Sequence, residues 1–147
     1  MEIERKFLIH KLPVDLSSFP MRKIEQGYLN TDPVIRIRRD NEKYELTYKS
    51  KGLMVRDEYN LPLTEEAYLH LCEKIDGQLI QKKRYEIPIN DCLMIELDIF
   101  EGTLAPLMLA EVEFPDEESA ASFAPPDWFG EDVTFSGKYH NSFLSQC

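Results

Sequence analysis

The chain has 147 residues, with 17 Lys and Arg against 27 Asp and Glu, which gives a formal net charge of −10 and a sequence pI near 4.8. That length suits one ordinary domain and is short for two. Hydrophobic residues make up 43% and charged residues 30%, a balance that argues against a disordered or collagen-like chain. The negative charge disfavours general binding to nucleic acids, which depends on a basic surface. Anionic ligands remain compatible, because acidic side chains can hold a divalent cation that binds the anion.

The three cysteines, Cys72, Cys92 and Cys147, are an odd number at no metal-ligand spacing. The sequence therefore predicts neither a disulfide framework nor a zinc site, and a reducing compartment fits best. The N-terminus has no apolar stretch after a basic region, and no run approaches the roughly 20 apolar residues of a membrane span. We expect a cytoplasmic protein without a secretory or membrane segment.

Most of the chain alternates polar and apolar residues with a period of two, which is typical of β-strands. Short turn-like links such as Asp40-Asn41 and Asn90-Asp91 separate several of these segments. Together they predict roughly eight strands in an antiparallel sheet or barrel, hence a β-dominated α+β fold. The alternation is clear at residues 2–7, 35–38, 44–49, 82–87, 95–99 and 111–113, and weaker near 23–30 and 55–61.

Few segments of the sequence have the apolar spacing that is typical of an α-helix. Thr64 followed by two glutamates is a good helix N-cap, and an apolar stripe from Tyr68 to Ile75 predicts a helix that ends before Gly77. Shorter helices are predicted at 116–123 and 140–146. The chain contains no linker, low-complexity tract or useful internal repeat, so we expect one domain over residues 1–147.

The polar faces of the strands are unusual in their charge. Some strands carry mainly basic residues, others mainly carboxylates, and the first strand carries both. If these faces line a barrel, desolvation makes so many enclosed charges costly without a ligand, and a polyanion with a divalent metal would relieve that cost. The alternative is a sheet whose polar face meets water and carries weak cross-strand ion pairs. The residues concerned are Glu2, Glu4, Lys6, Arg36, Arg38, Lys82, Arg84, Glu96, Asp98, Glu111 and Glu113.

A series of short motifs follows in a fixed order: Glu2-Ile-Glu-Arg-Lys6, Gln26-Gly-Tyr-Leu29, Arg36-Ile-Arg38, Thr47-Tyr-Lys49, Arg56-Asp-Glu58, Lys82-Lys-Arg-Tyr85, Glu96-Leu-Asp-Ile-Phe100, Glu111-Val-Glu113 and Trp128-Phe-Gly-Glu-Asp-Val-Thr134, then Tyr139 and Asn141. The first motif resembles the ExExK signature of the CYTH superfamily, also called triphosphate tunnel metalloenzymes. The whole series resembles short bacterial members of that superfamily over nearly the full chain.

This resemblance implies an eight-stranded antiparallel closed β-barrel with a few flanking helices. It also implies metal-dependent hydrolysis of a triphosphate, with Mg²⁺ or Mn²⁺ as cofactor, in a monomer or homodimer. Inorganic tripolyphosphate is the expected substrate, because a short chain leaves little material for a pocket that recognises a base. Carried over by motif, the substrate-binding residues are Lys6, Arg36, Arg38, Lys49, Arg56, Lys82 and Arg84, the metal ligands are Glu2, Glu4, Asp98, Glu111 and Glu113, and the candidate catalytic residues are Lys6, Glu58 and Lys82.

Two other functions stay open at this point. One is a different enzyme on the same fold, a class IV-type adenylyl cyclase or a thiamine or nucleoside triphosphatase. The other is a non-catalytic module that binds polyphosphate. The chain also departs from the superfamily pattern, with Asn60 where short relatives often carry a second acid and Ser50 where a glycine is common. Asn60 leaves the number of bound metal ions open.

Residues outside the motifs are predicted to have structural roles. His10, His70 and His140 are expected in a loop, a helix and a tail, without catalytic function. Tyr28, Tyr48 and Tyr85 are expected to pack in the barrel or its core.

Overall fold

The computed structural model describes residues 1–12 and 15–147, and these form one antiparallel sheet with flanking helices. The strands are β1 (Glu2–Leu8), β2 (Met21–Thr31), β3 (Val34–Asp40), β4 (Lys43–Lys49), β5 (Val55–Arg56), β6 (Glu58–Pro62), β7 (Asp76–Pro88), β8 (Met94–Phe100) and β9 (Met108–Glu113). Their order across the sheet is β5-β1-β9-β8-β7-β2-β3-β4-β6. The helices are α1 (Glu65–Cys72), α2 (Glu117–Ser122) and α3 (Asn141–Leu144).

The two edges of this sheet are consecutive pieces of one segment. Strand β5 pairs with β1, with Arg56 opposite Glu2, and β6 pairs with β4, with Glu58 opposite Lys49. Because only Asp57 separates β5 from β6, the sheet must curve until its edges meet, which makes a nearly closed barrel. The predicted fold class is therefore confirmed.

The strand count differs from the prediction at one place. The single strand predicted near 55–61 is divided at Asp57, so the described residues contain nine strands and not eight. Each half of the segment pairs with a different neighbour. The alternation of side chains showed that this segment is extended, but pairing partners are set by the closure of the whole sheet.

Helix α1 begins as predicted and ends early. The Thr64 hydroxyl accepts a hydrogen bond from the backbone N–H of Ala67 at 3.0 Å, which satisfies one free donor of the first turn. The helix stops at Cys72, so the predicted stripe through Ile75 extends too far. Ile75 instead packs on β2 at Gly27, where a Cβ would lie 2.8 Å from its Cγ2 atom.

The other two predicted helices are present. Helix α2 begins after Asp116, whose side chain accepts from the backbone N–H of Ser119 at 2.7 Å. Helix α3 has four residues, fewer than the predicted 140–146. None of the helices in the described part of the chain is long and apolar enough to cross a membrane.

The larger of two hydrophobic clusters lies outside the barrel wall. Odd-numbered residues of β8, such as Leu97, pack with Val112 of β9 and Ala120 of α2, whereas the intervening even-numbered residues face the barrel interior. Arg5 also points outward, and its Nη1 donates to the carbonyl of Ala120 at 2.9 Å, which fixes α2 on β1. The interior lining is mostly polar, but a second apolar cluster that includes Tyr28, Val34, Ile80 and Phe100 packs beside it, and Tyr28 and Val34 line the cavity.

The three tyrosines predicted to pack differ in their burial. Tyr28 is buried and Tyr85 packs against the core under α2. Tyr48 is 37% exposed on the outer face of β4, so the prediction is wrong for that residue.

Candidate functional site

The barrel encloses a cavity of about 540 Å³ whose lining is mostly charged. Because successive side chains of a strand point to opposite faces, each strand sends every second residue into this space. We call it the central cavity. Basic and acidic side chains line it in equal numbers: Lys6, Arg22, Arg36, Arg38, Lys43, Lys49, Arg56 and Arg84 against Glu2, Glu4, Asp40, Glu45, Glu58, Glu96, Glu111 and Glu113.

Every residue that the sequence predicted for the site lines the central cavity except Lys82 and Asp98. These two side chains are fully buried and do not border the open cavity. Asp98 accepts from Arg84 at both oxygens, from Nε at 2.7 Å and from Nη2 at 2.9 Å, and Lys82 Nζ lies 2.8 Å from Asp98 Oδ2. Both Asp98 oxygens are therefore occupied, and the side chain holds Arg84 in place.

The buried cluster of Lys82, Arg84 and Asp98 has unusual proton affinities. Burial lowers the pKa of Lys82 to about 7, although Asp98 opposes this effect. Burial by itself would raise the pKa of the Asp98 carboxyl, but the positive charges of Arg84 and Lys82 outweigh this effect and lower the pKa. Asp98 is therefore ionised at neutral pH and compensates the charge of Arg84.

Replacing Asp98 with Ala is expected to destabilise the fold by about 3–5 kcal/mol, because it removes the one carboxylate partner that buried Lys82 has in the described structure and the two shortest carboxylate contacts of Arg84. Denaturant unfolding followed by fluorescence or circular dichroism measures the change. Asp91→Ala, at an exposed position, is the matched control and should be nearly neutral. A loss for Asp98→Ala below about 1 kcal/mol, the size of a surface ion pair, would contradict the structure.

All three cavity lysines have carboxylate partners, and that of Lys43 is Glu45, whose Oε1 lies 2.8 Å from Lys43 Nζ. Lys6 Nζ lies 3.3 Å from Glu111 Oε1, and Lys49 Nζ lies 2.9 Å from Glu2 Oε1 and 3.7 Å from Glu58 Oε2. Burial would raise the pKa of Glu111, yet Lys6 and Arg84 hold it well below its usual range. These ion pairs compensate part of the cavity's charge internally.

Three cavity arginines are not compensated in this way. Within the residues that the structure describes, Arg36, Arg38 and Arg56 have no carboxylate oxygen within 4.0 Å. The Nε atom of Arg36 is buried and has no hydrogen-bond partner among them. Burial, together with the nearby charges of Arg36 and Arg84, lowers the pKa of Arg38 to about 9. The cavity therefore presents positive charge that an anion would stabilise.

Two cavity carboxylates, Glu4 and the exposed Glu113, are also unpaired among the described residues. Glu4 forms no salt bridge with any residue in the described ranges. Burial raises its pKa to about 8, with further contributions from the neighbouring Glu111 and Glu2. A cation at this position would stabilise the ionised form of Glu4.

The oxygen donors around Glu4 suit a hard divalent cation, because Mg²⁺ and Mn²⁺ prefer carboxylate oxygens. Glu2, Glu4, Glu111 and Glu113 supply such donors. Across 1–12 and 15–147, no three acidic, histidine or cysteine side chains converge closely enough to hold an ion by themselves. Magnesium sites often use one or two carboxylates and complete their shell with water and substrate phosphate oxygens, so the donor set fits an ion bound together with a phosphate.

Asn60, which departs from the family pattern, also lines the cavity. Its Nδ2 donates to Glu58 Oε1 at 2.9 Å, and its Oδ1 accepts from the Thr47 hydroxyl. The amide therefore orients Glu58 and adds no charge.

Sequence reasoning missed one end of the cavity, which contains Arg22. This side chain reaches carboxylates on three strands: Asp40 at 2.9 Å, Glu86 at 3.2 Å and Glu96 at 3.4 Å. Arg22 could have been identified from its position in the strand, because it lies on the same even-numbered face of β2 as Tyr28. The predicted start of that strand at residue 23 excluded it.

His140 was predicted to have a structural or surface role, and the structure places it in the cavity lining. It is 6% exposed, and its Nδ1 lies 2.6 Å from Arg56 Nη2. Burial and the charges of Lys6 and Arg56 lower its pKa to about 4. A single histidine near the C-terminus has no local pattern that would reveal this contact.

The cavity of this nearly closed antiparallel barrel thus contains unpaired arginines and unpaired carboxylates, groups of both signs that an anion and a cation would neutralise. The chain belongs to the CYTH domain family, which matches residues 1–143. It is 41% identical over 148 residues to an inorganic triphosphatase of Nitrosomonas europaea, covering 98% of this chain and 96% of the relative. It is 36% identical over 152 residues to an inorganic triphosphatase of Acetivibrio thermocellus, covering 97% and 92%.

A solved structure of an inorganic triphosphatase superimposes on the chain with a TM-score of 0.75. The two are 37% identical, and the match covers 100% of this chain and 95% of the other. The chain and that solved structure therefore share the same fold over their whole length.

Proposed function

We propose that this protein is a divalent-metal-dependent inorganic triphosphatase that hydrolyses tripolyphosphate to pyrophosphate and phosphate. The observation that carries the proposal is the set of three cavity arginines, Arg36, Arg38 and Arg56, without carboxylate partners in the described structure. A triphosphate supplies several negatively charged oxygens along its length, and guanidinium groups bind such oxygens through paired hydrogen bonds. The named activity of the two full-length relatives supports the same reaction.

The lining of the cavity favours an inorganic substrate over a nucleotide. Among the described lining residues, the aromatic side chains are Tyr28 and His140, which are 3% and 6% exposed. The Tyr28 hydroxyl accepts a hydrogen bond from Gln26 Nε2 at 3.0 Å. Since both rings are enclosed, neither offers an open face on which a base can stack. This argues against the adenylyl cyclase and nucleoside triphosphatase alternatives.

In the proposed reaction, the arginines and Lys49 bind non-bridging oxygens and hold the phosphate chain in line for attack by water. When bound, the metal ion neutralises phosphate charge and activates water, and Glu2, Glu4, Glu111 and Glu113 would hold it. Lys6 is kept at the cavity by Glu111 at 3.3 Å and by the Tyr139 carbonyl at 3.2 Å, where its ammonium group can stabilise developing charge.

Glu58 and Lys82 have different parts in this proposal. Burial opposes ionisation of Glu58, but hydrogen bonding to Glu2 and the charge of Lys49 hold its pKa at about 2. Its carboxylate therefore orients water by accepting a hydrogen bond. Lys82 is buried against Asp98 and does not border the open cavity, so we assign both residues to the positioning of Arg84. A cytoplasmic location, one domain, and a monomeric or homodimeric state belong to the same proposal.

The test is phosphate release from tripolyphosphate, ATP and thiamine triphosphate, each with Mg²⁺, Mn²⁺ or no metal, with cyclic AMP measured in the ATP reactions. We expect metal-dependent release that is fastest with tripolyphosphate, and no cyclic AMP. Binding of tripolyphosphate without turnover would contradict the proposal and identify a binding module. Formation of cyclic AMP would identify a cyclase.

A further inference from the structure

The three arginines without carboxylate partners share a second feature: each is held by an uncharged acceptor. Arg38 donates from Nε and Nη2 to Gln26 Oε1, at 2.9 and 2.7 Å. Arg36 Nη2 donates to the Thr47 hydroxyl at 3.1 Å. A neutral acceptor orients a guanidinium group and leaves its full charge available to a ligand, unlike Asp98 beside Arg84.

Arg56 is the third of these arginines, and its acceptor is His140. A guanidinium group can only donate hydrogen bonds, so His140 Nδ1 must be the acceptor in the 2.6 Å contact. The proton of the neutral ring then lies on Nε2, which is 3.4 Å from the Thr134 carbonyl oxygen and donates to it. The contacts thus define both the tautomer and the orientation of the ring.

The position of Arg56 explains why it needs this support. It lies on β5, a strand of two residues at the place where the barrel closes. His140 reaches it from the segment that precedes α3, which is 84 residues further along the chain. The same segment is fixed to the cavity wall on both sides, because the Tyr139 carbonyl accepts from Lys6 Nζ and Asn141 Oδ1 accepts from Lys82 Nζ.

We propose that His140 is a positioning residue that holds the Arg56 guanidinium at the central cavity, in its fully charged form, for the binding of a phosphate group. This inference rests on the proposed function, since it assigns Arg56 to the binding of the triphosphate. His140 itself does not contact the reacting atoms. It acts through Arg56, and its effect should therefore disappear when Arg56 is removed.

Three substitutions of His140 test the orientation of the Arg56 guanidinium separately from its charge. His140→Phe keeps a ring and removes the acceptor, so Arg56 loses its orientation and KM for tripolyphosphate should rise about tenfold. His140→Glu supplies an acceptor, but its negative charge offsets the positive charge of Arg56. KM for tripolyphosphate should therefore rise about as much as in His140→Phe. His140→Gln keeps a neutral acceptor, and KM should stay within about threefold of the wild-type value. In all three variants kcat should change less than KM.

The experiment measures KM, kcat and, by calorimetry, metal-free tripolyphosphate binding for these variants, for Arg56→Ala, and for the double variant His140→Phe/Arg56→Ala. We expect the double variant to match Arg56→Ala, because the two residues act as one unit. The inference would be overturned if His140→Phe weakened tripolyphosphate binding as much in the Arg56→Ala background as in the wild type. An unchanged KM in His140→Phe alone would overturn it as well. If His140→Phe melts too low to be assayed, tripolyphosphate binding by His140→Glu and His140→Gln decides the question: weaker binding by the Glu variant supports the inference, and equal binding overturns it.

The wild-type protein separates this inference from the proposed function. If the wild type neither binds nor hydrolyses tripolyphosphate, the proposed function fails and the inference fails with it. If the wild type does both and all three His140 variants behave like it, only the role of His140 is rejected.

Discussion

Replacing Arg38 with Ala is expected to weaken tripolyphosphate binding by about ten- to a hundredfold, the effect of losing a charge-assisted contact in an enclosed site. Burial, together with the positive charges of Arg36 and Arg84, lowers the pKa of the Arg38 guanidinium to about 9. A triphosphate would relieve this repulsion, so Arg38 should contribute more to binding than an exposed arginine. Isothermal titration calorimetry with tripolyphosphate measures the loss.

The neighbouring residue provides the control for this prediction. Arg39 follows Arg38 on β3, faces outward and is exposed, and its Nε donates to the backbone carbonyl of Asn41. Arg39→Ala removes the same charge from the protein and should leave the affinity for tripolyphosphate within about twofold, because exposed charges act weakly across solvent. Equal losses for the two variants would mean that net charge, and not the cavity, governs binding.

Replacing Glu4 with Gln is expected to reduce metal-dependent phosphate release by at least about a hundredfold, since a ligand to the proposed metal ion loses its charge. The barrel should remain folded, because Glu4 forms no salt bridge with the residues that the structure describes. Phosphate release at several Mg²⁺ concentrations measures the effect. Glu73→Gln, which changes an exposed glutamate after α1, should have wild-type activity.

The same substitution predicts a change in how stability depends on pH. In the folded, metal-free protein, burial and the charges of Glu111 and Glu2 raise the pKa of Glu4 from 4.5 to about 8. Between these values the folded state binds a proton that the unfolded state has released, so this group stabilises the fold below pH 4.5 and loses that effect as pH rises through about 8. Glu4→Gln removes the titration. The variant should therefore be more stable than the wild type at pH 8.5 by several degrees in Tm, and its advantage should shrink toward pH 5; a constant difference would contradict the burial of Glu4.

Much of the site was predictable because a strand places every second residue on the same face. The spacing of Glu2, Glu4 and Lys6 defined the inward face of β1, and the same rule placed Arg36 and Arg38 together. How deeply each side chain is buried was not predictable in this way. Asp98 shares the inward face of β8 with Glu96, yet it does not border the open cavity because Arg84 and Lys82 enclose it.

Contacts between distant segments were also beyond the sequence pattern. His140 reaches Arg56 only because the C-terminal segment folds back over the barrel, and neither residue carries a local signal of that path. The division of the 55–62 segment into β5 and β6 has the same origin, since the strands that they pair with lie at opposite ends of the sheet order. Such features depend on the closure of the barrel, which period-two alternation does not specify.

The central cavity is proposed to bind the substrate, and crystals grown with tripolyphosphate and Mn²⁺ test this claim most directly, because anomalous scattering locates the metal ion. We expect the phosphate chain inside the barrel, with its oxygens within hydrogen-bond distance of Arg36 and Arg38 and the Mn²⁺ ion coordinated by Glu4. A phosphate chain bound on the outer surface, with the cavity arginines still held only by Gln26 and Thr47, would contradict the proposal.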